Sequence, residues 1–139
     1  MKMFKRVGLA VLIGLFVIGL FFVQGAYSSS SVNQAGGTVY GTTTSTGSAI
    51  NVPLGFLPST VIISRVSVTA ANNYQLTYTA SMPAASGILH TAGGLTWITS
   101  AGISLYAGSA TNSPGFTIGT NSSINPSSPA DTLYWQAWQ

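Results

Sequence analysis

Thr60–Thr79 reads TVIISRVSVTAANNYQLTYT, and this passage decides the fold. Its first half is dominated by Val, Ile and Thr, whose branched Cβ suits a pleated strand and crowds a helix. Asn72-Asn73 then supplies turn chemistry. Beyond it Tyr74, Leu76 and Tyr78 alternate with Gln75, Thr77 and Thr79, a period of two with one face to bury and one to leave wet.

The pattern continues outward in both directions. Upstream, Gly55-Phe56-Leu57-Pro58 is a turn, and Ala49-Ile50-Asn51-Val52 is a short strand closed by Pro53. Tyr27–Gly47 is rich in Ser, Thr and Gly and reads as a linker that runs into an edge strand around Thr38–Thr43. Downstream, Ser81–Gly87 is a loop. Leu95–Ile98 and Ile103–Tyr106 flank Ser100-Ala101-Gly102, where a hairpin is expected. Ser113-Pro114-Gly115 turns the chain before Phe116-Thr117-Ile118. In the last strand Leu133, Trp135 and Ala137 alternate with Tyr134, Gln136 and Trp138, and its two tryptophans place it inside the sheet or against a neighbouring subunit. Seven or eight short strands, with no helical period after residue 25, predict an all-β domain: an antiparallel β-sandwich or a jelly roll.

The N-terminus is of another kind. Val7–Val23, VGLAVLIGLFVIGLFFV, has no charge and no hydrogen-bonding side chain. As a helix it spans roughly 25 Å, close to a bilayer core, and it is apolar all round. Lys2, Lys5 and Arg6 in front of it hold the N-terminus inside and send the rest outward. Two readings stay open, a retained anchor and a cleaved secretory signal with small residues near Gly25-Ala26; both export the domain. Gly8, Gly14 and Gly19 interrupt the run, and Ala10 with Gly14 makes a weak small-xxx-small pair. The expected organisation is therefore 1–25 as basic cap and hydrophobic helix, for a membrane or a helix bundle; 26–46 as linker; and 47–139 as β-domain.

Charge bounds the function. Of four Lys and Arg residues three lie in the leader, so beyond residue 26 the chain holds one base, Arg65, and one acid, Asp131. The pI near 9.5 belongs to the leader. Without clustered Lys and Arg there is no nucleic-acid groove. A freely diffusing protein normally keeps a charged surface. One made of Ser, Thr, Asn, Gln and Gly suits subunits packed as homo-oligomers or arrays. Arg65 and Asp131 either pair, within one subunit or between two, or each face water.

Chemistry is scarce. Asp131 is the sole acid, which excludes paired-carboxylate hydrolysis. A Ser/His/Asp triad would need His90, the sole histidine, together with Asp131, and no G-x-S-x-G elbow is present. His90 reads instead as a hydrogen-bonding loop residue. There is no cysteine, no phosphate loop and no dinucleotide motif, and Gly36-Gly37 and Gly93-Gly94 are turn glycines. The expectation is a non-enzyme with no catalytic residue, no metal site and no cofactor. Asn121-Ser122-Ser123 is the one glycosylation sequon. Trp97, Trp135 and Trp138 could form a sugar-stacking surface, but their strand positions favour core packing.

One order of segments is distinctive. Gly55-Phe56-Leu57-Pro58 leads into a Val/Ile strand, a Tyr-rich strand ends at Ser81-Met82-Pro83, and Ile98-Thr99-Ser100-Ala101-Gly102-Ile103 follows. Then come Pro114-Gly115-Phe116-Thr117-Ile118-Gly119 and Asp131-Thr132-Leu133-Tyr134-Trp135. Over roughly residues 47–138 this resembles small β-domain proteins encoded among tailed-phage and prophage structural genes. The resemblance implies a virion setting and other virion proteins as partners. Such domains usually lack a hydrophobic leader, so its presence here implies a membrane-associated particle. The layout of apolar helix and uncharged Ser/Thr-rich β-domain is also similar to archaeal pilins and adhesion filaments, with Lys5-Arg6-Val7-Gly8 as the processing site. Together these give three expectations: a structural subunit of a virus or phage particle; a cell-surface filament subunit whose helix forms the filament core; and a membrane-anchored carbohydrate-binding or adhesion module.

Overall fold

The computed structural model describes residues 37–67 and 73–139. The helix expected over Val7–Val23 lies outside the described residues, as does the start of the Asn72-Asn73 turn. Eight strands follow in chain order: β1 Thr38–Thr44, β2 Ile50–Pro53, β3 Thr60–Val66, β4 Asn73–Thr79, β5 Ser86–Thr91, β6 Gly94–Tyr106, β7 Gly115–Ile118 and β8 Thr132–Trp138. There is no helix among the described residues.

The strands make one sheet, ordered β1-β8-β3-β4-β5-β6-β7-β2, with every pair antiparallel. The all-β antiparallel expectation holds. Where the sequence suggested the separate layers of a sandwich or jelly roll, the described strands form a single hydrogen-bonded sheet that curls. Phe116 on β7 and Trp135 on β8 touch edge to face, with centroids 5.6 Å apart and planes at 74°. These strands are each second from an end of the sheet, so the contact requires the two ends to face each other.

Alternation builds the core. Val61 and Ile63 of β3, Leu76 and Tyr78 of β4, Leu89 of β5, and Leu133, Trp135 and Ala137 of β8 all turn inward. They meet Val52, Ile103, Phe116, Ile118 and Ile124 from the facing end. The two sets of β8 residues separate as the sequence predicted, and β8 lies inside the sheet between β1 and β3. The sheet begins at Thr38, so the tail of the compositional linker is its edge strand.

Two features depart from the sequence reading. Ser86–Thr91 is a strand, although Ser86-Gly87 fell in the expected loop and His90 was read as a loop residue. The hairpin expected at Ser100-Ala101-Gly102 is absent, because β6 runs through it. The reversal instead falls at Ala92-Gly93, where Thr91 pairs with Gly94. At residues 99–102 the chain turns a corner: Gly87 pairs with Ile98 but Ser86 pairs with Ile103, so four residues of β6 bulge out. Ala101 sits at φ 58°, and a Cβ on Gly102 would lie 2.4 Å from the Ser86 carbonyl oxygen. The corner is what lets one sheet serve as both walls of the core.

Candidate functional site

Arg65 follows Val61 and Ile63 on the inward row of β3, and Asp131 precedes Leu133 on the inward row of β8. Register places Arg65 opposite Leu133, so Asp131 is its diagonal neighbour. The Arg65 Nε–H donates to Asp131 Oδ2 at 2.7 Å, with 10% and 0% of the two side chains exposed. Nη1 donates to the carbonyls of Ser123 at 2.8 Å and Ser122 at 3.3 Å, and the guanidinium lies 5.2 Å from the centre of the Tyr74 ring. Asp131 N–H donates to the buried Ser45 Oγ at 2.8 Å. Of the two alternatives open from sequence, the structure chooses pairing, within one subunit and inside the fold.

Next to this clasp, Asn125 uses its whole amide. Oδ1 accepts from the N–H groups of Thr46 and Gly47, and Nδ2 donates to the carbonyls of Ser48 and Gly119. It is fully buried and ties the β1–β2 connection to the long β7–β8 loop. Asn121 of the sequon sits in that loop, where its Oδ1 accepts from Ser123 N–H at 3.0 Å.

A triad is not assembled. Asp131 is buried against Arg65, whereas His90 pairs with Gln75 on the opposite, outward face and is exposed. Among the described residues no cluster of three metal-ligating side chains exists. The tryptophans also part company. Trp135 is in the core, with its Nε1 lacking a hydrogen-bond partner; Trp97 and Trp138 face outward on β6 and β8, with three strands between them. Core packing therefore holds for Trp135 alone. Burial pushes the Tyr78 phenol above its ordinary value, and its hydroxyl reaches the Met82 carbonyl at 3.3 Å.

The register lays out the outward face in rows. One row reads Thr42, Tyr134, Ser64, Gln75, His90, Leu95; its neighbour reads Tyr40, Gln136, Ile62, Thr77, Ile88, Trp97. No charged side chain occurs in either. Between Tyr40, 44% exposed, and Tyr134, 50% exposed, runs a groove of about 430 Å³ floored by Ile62 and Ser64 and flanked by Gln75 and Gln136. Sequence reading assigned this groove nothing. The signal was the parity of β8, which sets Tyr134 and Gln136 outward; Tyr40 and Gln75 join them only through strand order.

In comparison with protein-family models, curated proteins and solved structures, the chain finds no match.

Proposed function

We propose that this chain is a non-enzymatic structural subunit that packs against copies of itself, its β-domain held outward by the N-terminal apolar stretch, in a virus or phage particle. One observation carries the reading: the domain's only Lys, Arg, Asp or Glu side chains are turned on each other inside the fold. What faces outward is hydroxyl, amide, aromatic and aliphatic, with Leu95 and Leu105 beside Tyr40, Trp97 and Tyr134. Such a surface has little like-charge repulsion to keep copies apart. It also has no ions to desolvate when they pack. A cell-surface filament subunit, with the apolar stretch as filament core, draws on the same feature. N-terminal sequencing and intact mass of the chain from its native assembly separate the two. A start at Met1 or Lys2 supports the virion subunit, and a start at Val7 or Gly8 supports the filament. A start near Ala26 removes the anchor and contradicts both.

The groove between Tyr40 and Tyr134 favours a second reading, adhesion to a neutral saccharide. Aromatic faces suit the C–H face of a sugar ring, and the neighbouring Gln and Ser groups offer donors and acceptors to its hydroxyls. A Tyr134→Ala chain that keeps its melting temperature but loses retention on neutral glycans supports this reading; equal retention removes it.

A further inference from the structure

The groove at Tyr134 does not end where its own lining ends. Ser64 and Gln75, cross-strand partners on β3 and β4, also line a second hollow of about 600 Å³ that continues to Tyr74, His90 and Thr91. A third hollow, of about 310 Å³, shares Tyr74, Thr91 and Ala92 with the second and reaches Gly93 in the β5–β6 turn. The three adjoin in one trough. Register gives its scale: Tyr134, Ser64, Gln75 and His90 stand side by side on β8, β3, β4 and β5. Three strand spacings from Tyr134 to His90 make roughly 14 Å, more than a single sugar ring can fill.

The trough crosses strands that are paired on both sides, so their ladder groups are already spent. Recognition there falls to side chains. Tyr134, 50% exposed, offers a ring at one end, and the half-buried Tyr74 lines the other. Between them the amide of Gln75 and the hydroxyl of Ser64 are joined at 3.4 Å, and the exposed His90 adds its ring nitrogens. The one cation to reach the trough is Arg65, whose Nε and Nη1 are committed to Asp131 and to the Ser122 and Ser123 carbonyls. An anionic ligand would find no counter-ion here and would be desolvated without return.

We propose that this trough binds a linear neutral polysaccharide, whose successive rings lie across the strands from Tyr134 to His90. The inference rests on the second reading above, adhesion to a neutral saccharide, and says that the ligand is an extended chain and not a single sugar. Each ring along the path presents hydroxyls that both donate and accept, which matches the amide, hydroxyl and imidazole groups of the floor. The Tyr134 hollow holds one end of the ligand, and His90 and the turn meet the rings beyond it.

Isothermal titration of the full chain, in a detergent with no sugar headgroup, against ladders of linear gluco-, manno- and galacto-oligosaccharides tests this. In the ladder that binds, affinity is expected to climb about tenfold from the shortest member to the longest, the worth of one or two hydrogen bonds. His90→Ala should remove that gain, leave the shortest member's affinity in place and keep the melting temperature, since the side chain is exposed. Ala92→Trp, which fills the far hollow from the exposed turn, should act in the same way. Tyr134→Ala should weaken every member. Affinity that is flat with length, or that falls equally for short and long members in His90→Ala, overturns the extended site and leaves the single-sugar groove standing. No binding to any ladder, or binding indifferent to both Tyr134→Ala and His90→Ala, overturns both readings.

Discussion

At the scale of single residues, the two charges of the domain decide most. Arg65 and Asp131 are too buried for their pairing to count as a surface ion pair. Removing one partner strands the other, at a cost of about 3–5 kcal/mol. Arg65→Met and Asp131→Leu are each expected to lose that much in urea unfolding, and the double variant to lose far less than the sum; losses additive to within about 0.5 kcal/mol would disprove the coupling. Tyr78 gives a pH dependence. Its folded pKa is raised by burial, so the stability it carries is complete below the ordinary tyrosine value of about 10 and is lost as pH rises through the folded value. Thermal melts should fall on the alkaline side and fall less steeply in Tyr78→Phe; an identical decline in both would assign the effect elsewhere. The residues themselves were visible in sequence, since two lone charges in an uncharged domain invite pairing. The choice between pairing and solvent was not, because it depends on the β3–β8 register.

At the scale of elements, alternation was legible wherever a strand has one wet and one dry face. β4 and β8 show this directly, and the outward side of β8 now carries Tyr134 and Gln136 of the groove. Gly and Ala misled where they were read as a turn. Ser100-Ala101-Gly102 looks like hairpin chemistry, yet these small residues let β6 bulge past the Ser86 carbonyl. β5 was hidden because Ser86-Gly87 has loop composition, although the strand lies between its chain neighbours β4 and β6. The contrast is testable. Gly102→Ala drives its Cβ into backbone that cannot retreat and should cost about 1–3 kcal/mol. Gly93→Ala, in the true turn, meets only the Thr91 hydroxyl at 3.6 Å and should stay within about 0.5 kcal/mol. In calorimetry the first change lowers Tm by several degrees and the second leaves it in place. The reverse order would restore a hairpin at 100–102.

At the scale of the whole molecule, the domain is a curled sheet that turns its two charges on each other and keeps an uncharged outward face of aromatic, amide, hydroxyl and aliphatic groups. Composition foretold a domain almost without charge, whereas the pairing of Arg65 with Asp131 follows only from the β3–β8 register. Contacts built from backbone hydrogen bonds, hydroxyls and aromatics have no Coulombic part for salt to screen. Sedimentation velocity of the full chain in neutral detergent, from low micromolar to about 100 μM and at both about 0.02 M and 1 M sodium chloride, tests the central claim most directly. Oligomers are expected whose mass rises with concentration and is the same at both salts. A monomer at every concentration, or an oligomer that dissociates as salt is raised, would contradict it.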